Sequence, residues 1–585
     1  MHYQPDAADA TFLLQQVLDA PAQWQQLAAF ADTDSSLVGQ LLEEAAKFVG
    51  GVVAPLSVVG DRVGCRFEAG RVTMPPGFRD AYQAFWQAGW PALACAPEDG
   101  GQGLPCVLEA VVYEWLSAAN HGWTMAPGLL HGAYECIKHH GSADLQQRYL
   151  RQLASGEWLA TMCLTEPHAG SDLGLARTRA VVQGDGSYRI SGTKIFISGG
   201  EHDLTDNIVH LVLARLPDAP AGPKGLSLFL VPKFLPDGSH GGAHCDRIEE
   251  KMGLHGSPTC VMRFESATGW IIGAPGRGLA AMFVMMNAAR LHVALQGVGL
   301  LDAAWQKAHA YASERRQMRV PGPRRSAEPA DLIEGHPAIR RILDTQRAWI
   351  DGARLLAYQT GIELDIARHH GDPSRREQAQ RWCSLLTPVL KAMCSHQAFH
   401  GASECLQVLG GHGYVREGGI EQIVRDARVA MIYEGTNEIQ AIDLLVRKVL
   451  ADDGHAMCCM LDALGAGASP VAKRARAVGA RLASVREVTT ALVQTCRADP
   501  CAAYWVAEDY LRLLGLAMMD WAWCRIEASP GAAQPRWAAP AGAFARWVLP
   551  EFYMRLGIIR QQMQTSPTAA GACEPTLPSG PQHVR

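Results

Sequence analysis

The stretch Cys163–Asp172, CLTEPHAGSD, lies where the chain changes from helical to β-rich sequence. Its hydroxyl groups, its Gly170 and its backbone N–H groups suit the polar edge of a cofactor or a phosphate. Pro167 and Gly170 disfavour a continuous helix through the stretch. Chemistry alone favours a plain surface turn over a ligand site, so the stretch first of all marks the boundary between two structural units.

Sequence periodicity on either side of this boundary divides the chain into units. Amphipathic helical runs precede it, and short β-branched runs separated by turns such as Gly184-Asp185-Gly186 follow it. Long helical patterns then resume and continue towards the end of the chain. The predicted units are an N-terminal extension (1–35), a helical domain (36–158), a compact antiparallel β domain (159–275), a helical bundle (276–450), a further helical domain (451–565) and a disordered tail (566–585).

The composition narrows the class of protein. The chain has 585 residues, of which 48% are hydrophobic and 19% charged, and this excludes a disordered or fibrous protein. The net charge of −5 is too balanced for the basic footprint of a nucleic-acid-binding protein. We therefore expect a large globular protein with several buried cores and no nucleic-acid partner.

The cysteines, histidines and apolar segments argue against secretion, metal binding and membrane insertion. The 16 cysteines show no C-x-x-C spacing, and the opening MHYQPDAADA is unlike a secretory signal, so we expect reduced thiols in the cytoplasm and no metal. His396 and His400 lie four residues apart, but Gln397 stands where a zinc protease needs Glu. The most apolar helical stretch contains Arg290, and we expect no membrane span.

The segment KIFISGG, Lys194–Gly200, is a second candidate for ligand binding. Strand alternation places Phe196 and Ser198 on one face, where a ring could stack and a hydroxyl could form a hydrogen bond. Taken alone, this pattern is more typical of core packing.

A third candidate lies in Leu406–Leu445, which contains the run GGHG and the sequence IYEGTNE. Glu434 precedes Gly435 and Thr436, and Thr436 is a good helix cap. A carboxylate held just before a helix, among apolar neighbours, is partly desolvated and can act as a base. The alternative to a catalytic base is a solvated loop glutamate, which is the more common case when such a motif is considered alone.

These motifs occur together and in one order, and in this they strongly resemble the acyl-CoA dehydrogenase family. The resemblance runs from about Phe78 to Leu450, with CLTEPHAGSD, KIFISGG, LQVLGGHGY and RDARVAMIYEGTNEIQ as its specific motifs. The opening of the chain and the part after residue 450 resemble the long bacterial branch of that family. That branch includes enzymes that act on 3-methylthiopropionyl-CoA as well as on fatty acyl-CoA.

The resemblance implies an α+β fold: an N-terminal helical domain, a middle β-barrel domain, a C-terminal four-helix bundle and an extra helical extension. It implies FAD at the domain junction and α,β-dehydrogenation of an acyl-CoA thioester to the trans-2-enoyl-CoA, as in fatty acid β-oxidation. The implied partners are an electron-transfer flavoprotein and a second copy of the chain, as a homodimer or a dimer of dimers. The physics agrees, because a weakly acidic α-C–H needs a desolvated base and donors to the thioester oxygen.

The resemblance also assigns the base and the substrate contacts. Glu434 matches the catalytic base and Gly435 a substrate contact. Relatives with the base elsewhere carry it directly before an arginine. Here that position is Ala289, which cannot act as a base, so Glu434 is the one candidate at these two positions. Asn287 and Arg290 match positions that touch the CoA arm and its phosphates.

The remaining matches concern FAD. Contacts to the flavin and pyrophosphate match Leu164, Thr165 and Ser171, with Ser171 also near the CoA arm. Phe196, Ile197 and Ser198 match the segment that covers the flavin ring, while Thr436 and Glu438 flank the phosphates. Arg315 matches an arginine for the FAD pyrophosphate, and Gln407, Gly410 and Gly411 match contacts made across a dimer interface. His168, Gln317 and Met318 depart from the family pattern and leave the adenine contacts open.

The sequence leaves two alternative functions open. An acyl-CoA oxidase shares the base and the flavin but lets oxygen reach the reduced flavin. A DNA-associated flavoprotein homologue has a C-terminal helical domain that should be basic, whereas residues 451–585 contain 13 Lys and Arg against 11 Asp and Glu.

The extension is predicted to dock on the rest of the chain. Between Val471 and Cys496, apolar residues recur at three- and four-residue steps and form a stripe of Val478, Leu482, Val485, Val488, Leu492 and Val493. The following stretch adds Trp505, Leu511, Leu514, Leu516, Trp521 and Trp523. Such a surface is costly to leave in water, at about 25 cal/mol per Å².

Overall fold

The computed structural model describes residues 2–324, 327–466 and 473–565 of the chain. The predicted tail, 566–585, and Val471, the start of the segment that contains the predicted stripe, lie outside the described residues. Helices form the first and third quarters of the chain and its last part, and a sheet lies between the first two helical units.

The first unit consists of helices and one small hairpin. Its helices are α1 (Ala7–Thr11), α2 (Ala20–Trp24), α3 (Ser35–Phe48), α4 (Ser57–Val63), α5 (Phe78–Gln87), α6 (Cys106–Thr124), α7 (Leu130–His140) and α8 (Ala143–Ser155), and the hairpin is β1 (Arg66–Glu68) with β2 (Arg71–Thr73). Side-chain caps mark several of the starts: Asp34 accepts from the N–H of Leu37, and Ser142 from the N–H of Leu145.

The middle unit is a seven-stranded sheet that closes on itself. Its strands are β3 (Leu159–Cys163), β4 (Arg179–Val182), β5 (Tyr188–Ser198), β6 (Ile208–Arg215), β7 (Leu226–Pro232), β8 (Ala243–Ile248) and β9 (Thr259–Ile272). Pairings run β6–β7–β9–β5–β4 and return from β4 to β6, with β8 beside β9. The ring agrees with the expected barrel.

The expected purely antiparallel arrangement is corrected in one respect. Strands β3 and β4 both pair with β6 in parallel, at Cys163–Val212 and Arg179–Arg215. The chain therefore leaves the sheet after Cys163 and returns only three residues further along β6, about 10 Å away. Residues 164–178, which carry most of the CLTEPHAGSD motif, form the loop that this excursion creates.

The third unit is a bundle of long helices. It contains α9 (Gly278–Glu314), α10 (Pro337–His369), α11 (Pro373–Leu409), α12 (Gly411–Tyr414), α13 (Ile420–Arg428) and α14 (Asn437–Ile442), and a wider helical turn, Asp443–Val449, continues α14. Helix α9 alone is long and apolar enough to cross a membrane by length and composition, within the described residues. Because 56% of its most apolar window is buried inside the protein, this is weak evidence for a span.

The extension is helical and packs on the bundle. It contains α15 (His455–Ala466), α16 (Lys473–Ala498), α17 (Ala502–Ala528), α18 (Pro535–Ala543) and α19 (Pro550–Thr565). All six residues of the predicted stripe on α16 are buried. On α17, Trp523 Nε1 donates to the carbonyl oxygen of Ala348 in α10, at 3.1 Å. Trp505 differs from expectation: it is 75% exposed, because it lies in the first turn of α17, outside the face that meets the bundle.

Candidate active site

Glu434 lies in the short loop that leads into α14. Its φ angle is +55°, a left-handed conformation that is uncommon for a residue with a side chain. Gly435 follows with φ of +84°, and Thr436 caps α14 by accepting from the N–H of Ile439 at 3.4 Å. The main chain thus turns sharply at Glu434 and then enters a capped helix.

Two cations act on the Glu434 carboxyl group. Lys391 of α11 is fully buried and donates from Nζ to the carbonyl oxygen of Gly435 at 2.7 Å. Arg290 of α9 is 4% exposed and pairs with Asp443, with Nη1 3.2 Å from Oδ2. Burial raises the pKa of Glu434 to about 7, and the charges of Arg290 and Lys391 oppose that rise. A carboxyl group with this pKa is matched to a proton-abstraction role near neutral pH.

Tyr433 fixes the loop to the helices in front of it. Its hydroxyl donates to Gln296 Oε1 of α9 at 2.5 Å and lies 3.9 Å from the sulfur of Met125, directly after α6. The next residue, Ala126, packs against Gly199, where a Cβ would lie 3.3 Å from that of Ala126. The Glu434 loop and the end of strand β5 therefore face each other across Met125 and Ala126.

A buried ion pair fixes the start of loop 164–178, and the sequence analysis did not predict it. Lys194 Nζ is 2.8 Å from Glu166 Oε1 and donates to the carbonyl oxygen of Leu164 at 2.9 Å. Glu166 also accepts from the main-chain N–H groups of Arg177 and Thr178. Leu164 and Thr165 are half-buried and Ser171 is exposed. The pair fixes the start of the loop while leaving its tip open.

Strand β5 has an irregularity at Phe196. The pairing with β9 shifts register between Lys194 and Ile197, and Phe196 has φ of +59°. As a result its ring is 61% exposed, Ile197 is buried in the sheet and Ser198 is half-buried. The expected simple alternation of Phe196 and Ser198 is therefore replaced by a bulge that turns the Phe196 ring outward.

A second group of predicted residues lies at the opposite end of the bundle. Gln407, Gly410 and Gly411 are exposed, and no atom lies within 4 Å of a Cβ built on either glycine. Arg315, exposed at the end of α9, is near them because Tyr311 OH is 3.2 Å from His412 Nδ1. Gln407 is sixteen residues from Lys391 on one helix, about 24 Å. The structure thus does not bring this group to the Glu434 loop.

The predicted CoA contacts separate in the structure. Asn287 is exposed on α9, whereas Arg290, one turn later, is buried beside Glu434 and paired with Asp443. Its burial does not fit a direct contact with CoA phosphates. Glu438 is exposed in the first turn of α14, near Thr436.

Comparisons with known proteins identify the three central units. The N-terminal, middle and C-terminal domain models of acyl-CoA dehydrogenase match residues 39–157, 161–267 and 276–449. The 3-methylmercaptopropionyl-CoA dehydrogenase of Ruegeria pomeroyi is 42% identical over 89% of this chain and 90% of its own length. This chain belongs to the acyl-CoA dehydrogenase family. The expected family and α+β fold are confirmed.

Other members of the acyl-CoA dehydrogenase family extend the comparison. The broad-specificity linear acyl-CoA dehydrogenase FadE5 of Mycobacterium tuberculosis is 36% identical over 78% of this chain and 77% of its own length. An acyl-CoA dehydrogenase of Bacillus anthracis, solved with FAD, has a TM-score of 0.73 at 20% identity and covers 95% of this chain and 94% of its own. The similarity of that structure therefore reaches the extension as well as the three central units.

The chain is thus an FAD-dependent oxidoreductase that acts on acyl-CoA. The exposed and half-buried groups at the junction fit this cofactor. An aromatic ring turned outward at Phe196 offers a stacking face, and Thr165, Ser171 and Ser198 offer hydroxyl groups. At the opposite end of the bundle, the exposed guanidinium group of Arg315 suits a pyrophosphate.

Proposed function

We propose that Glu434 is the catalytic base and that the substrate is 3-methylmercaptopropionyl-CoA or a linear acyl-CoA of similar length. One observation carries the assignment of the base: a half-buried glutamate on a strained loop, beside Arg290 and Lys391, on the side that faces the strand bearing Phe196. The substrate class is supported by the relative that is 42% identical, which exceeds the 36% of the linear-chain enzyme.

The chain's residues would act as follows. Glu434 takes a proton from the α-carbon, and the electron pair of that C–H bond forms the new Cα=Cβ bond as hydride leaves the β-carbon. When bound, FAD supplies the acceptor for that hydride, and the product is the trans-2-enoyl-CoA. Arg290 and Lys391 stabilise the carboxylate form of Glu434 before the step. Residues Leu164, Thr165 and Ser171 on the loop, and Phe196 to Ser198 on β5, would hold the flavin in place.

The experiment compares the wild-type holoenzyme with Glu434→Gln. Turnover with an artificial electron acceptor is measured across a panel that includes 3-methylmercaptopropionyl-CoA and linear acyl-CoA esters of four to twelve or so carbons. We expect Glu434→Gln to keep its yellow colour and to lose turnover by about a hundredfold or more, because a general base contributes at least about that much. A variant with most of its activity contradicts the assignment of the base.

We further propose that the reduced enzyme passes its electrons to an electron-transfer flavoprotein. This partner belongs to the family resemblance, and it distinguishes the dehydrogenase from an oxidase. Reoxidation by an electron-transfer flavoprotein should be much faster than reoxidation by dissolved oxygen. Rapid formation of hydrogen peroxide without that partner would contradict this part of the proposal.

We also propose a homodimer. Gln407 lies about 24 Å along α11 from Lys391, Gly410 and Gly411 directly follow the end of that helix, and Tyr414 beside them is 86% exposed. Such a surface suits contacts to the cofactor of a second copy. Sedimentation should therefore give a dimer whose flavin content falls on dilution, and a fully flavinated monomer would contradict it.

A further inference from the structure

A buried lysine on α11 is bonded to the main chain that carries Glu434. Lys391 Nζ donates to the carbonyl oxygen of Gly435 at 2.7 Å and to Asn437 Oδ1 at 3.0 Å. Both acceptors are neutral, and the two bonds bracket the residue that caps α14. A buried ammonium group is costly without partners, so these bonds fix where it lies.

The loop that Lys391 holds is strained. Glu434 and Gly435 are consecutive left-handed residues, and this conformation is unfavourable for Glu434 because it has a side chain. The carbonyl oxygen of Glu434 accepts from Gln440 Nε2 at 3.1 Å, and that of Gly435 accepts from Lys391. Both peptide groups after the Glu434 side chain are therefore held by hydrogen bonds to outside donors.

The position of Lys391 is itself fixed by its neighbours on α11. Asn437 Nδ2 donates to the carbonyl oxygen of Ala392 at 3.2 Å, and this orients Oδ1 towards Lys391. Ser395 Oγ reaches the same Oδ1 at 3.1 Å. Three α11 residues thus hold Asn437, and through it the start of α14, on a long and well-packed helix.

We propose that Lys391 is a positioning residue for Glu434: it holds the left-handed loop in shape and places a buried amino group behind the base, which opposes the protonation of Glu434 whenever it is charged. This inference rests on the proposed role of Glu434. The sequence motifs give no hint of it, because Lys391 lies 43 residues before Glu434 in a stretch, TPVLKAMCS, that otherwise reads as buried helix.

The charges around the pair determine the expected effect on pH dependence. Lys391 interacts with Glu434, Glu438 and Arg290, and Glu434 interacts with Arg290 and Lys391. Burial lowers the pKa of Lys391 to about 7, and the carboxylate of Glu434 opposes that change. Removing the lysine leaves Arg290 as the remaining cation, itself shared with Asp443. The pKa of Glu434 must then rise.

The test compares the Lys391→Met and Lys251→Met holoenzymes. Lys251 is the control, because it also donates to a main-chain carbonyl oxygen, that of Ser257 at 2.8 Å, although it lies in the middle unit and is only partly buried. We expect Lys391→Met to lower kcat by about tenfold or more, as misplacement of a reacting group does. The acidic limb of its kcat/KM profile should move up by at least about half a pH unit. Lys251→Met should move neither.

The outcomes separate the two proposals. If Glu434→Gln is inactive while Lys391→Met keeps its kcat within about twofold and its acidic limb unmoved, the positioning role is wrong and the base assignment stands. A lower kcat in Lys391→Met with no shift in the acidic limb of its kcat/KM profile also overturns the positioning role. General structural damage lowers the rate in this way without changing the charge behind the base. If Lys391→Met does not fold, Lys391→Gln, which keeps a donor but no charge, gives the same test of the limb. Activity in Glu434→Gln would instead overturn the proposed function.

Discussion

Arg536 of α18 and Asp351 of α10 form a two-bond ion pair, with Nη1–Oδ2 and Nη2–Oδ1 distances of 2.7 and 2.9 Å. The same guanidinium group bonds Asp9 of α1, with Nε 3.0 Å from Oδ2. It therefore joins the extension, the bundle and the N-terminal segment. The network continues through four more acidic or basic positions in the core, and its charged members are Asp9, Glu114, Asp302, Asp351, Arg347, Arg354 and Arg536.

Replacing Arg536 should loosen all three parts at once. Arg536→Met leaves Asp9 and Asp351 without one of their partners, and we expect a loss of about 2 kcal/mol or more, below the ~3–5 of a fully buried pair because Arg536 is partly exposed. Arg560→Met is the control: its pair with Glu487 is at the surface and should contribute little. Thermal unfolding midpoints of both variants test this, and equal midpoints would contradict it.

The network should also make stability depend on pH. Burial raises the pKa of Asp9 to about 6 and that of Asp351 to about 7, and four carboxyl groups facing three guanidinium groups are consistent with a retained proton. The folded protein then binds protons more tightly than the unfolded chain, in which Asp has a pKa of about 3.9. This proton binding contributes fully to the free energy of unfolding below about pH 4, and the contribution is lost as the pH rises through 6 to 7.

The measurement is the unfolding midpoint at pH 5 and at pH 8. The asparagine in Asp9→Asn cannot ionise. This variant should therefore show a smaller difference between its unfolding midpoints at pH 5 and pH 8 than the wild-type protein. Asp32→Asn, at an exposed position, should leave that difference unchanged. An unchanged difference in Asp9→Asn means that Asp9 is not the group that titrates.

The Lys194–Glu166 pair should be needed for flavin retention. Lys194→Met leaves a buried Glu166 carboxylate without its cation, and the cost of about 3–5 kcal/mol should distort the loop that begins at Leu164. We expect flavin to be lost on gel filtration. The double variant Lys194→Met/Glu166→Gln removes the unpaired charge and should recover part of the flavin, and a double variant no better than the single one would contradict this.

Two glycines of the extension should respond in opposite directions to alanine. A Cβ on Gly515 of α17 would overlap the sulfur of Met393 on α11, so Gly515→Ala should lower stability by about 1–3 kcal/mol. Gly557 of α19 has no atom within 4 Å of its Cβ position, and alanine there should stabilise by up to about 1 kcal/mol. Shifts of equal sign in the unfolding midpoint would show that the α17–α11 contact is not tight.

Much of the fold follows from local pattern. Helices such as α9 and α10 begin and end close to where their apolar periodicity and flanking Gly and Pro place them. Strand direction does not follow, because alternation is the same for parallel and antiparallel pairing. The parallel pairs of β3 and β4 with β6 needed the three-dimensional path of loop 164–178.

The residues of the candidate site also fall into two groups, those that local sequence predicts and those that depend on distant contacts. Glu434 could be found because its motif is contiguous and ends in the Thr436 cap. Lys391 could not, because its partner carbonyl lies 44 residues away, and neither a propensity nor a period encodes that contact. The burial of Arg290 likewise depends on Asp443, which comes from another helix.

The Asp9–Arg536 contact also bears on how the chain is made. The two residues are 527 positions apart, and synthesis at about 5–20 residues per second puts about 25–100 s between them. For that interval the surface of the bundle that α18 will cover stays open to other chains. The N-terminal segment, although made first, can complete its ion pairs only near the end of synthesis, so its last docking step is a late event in folding.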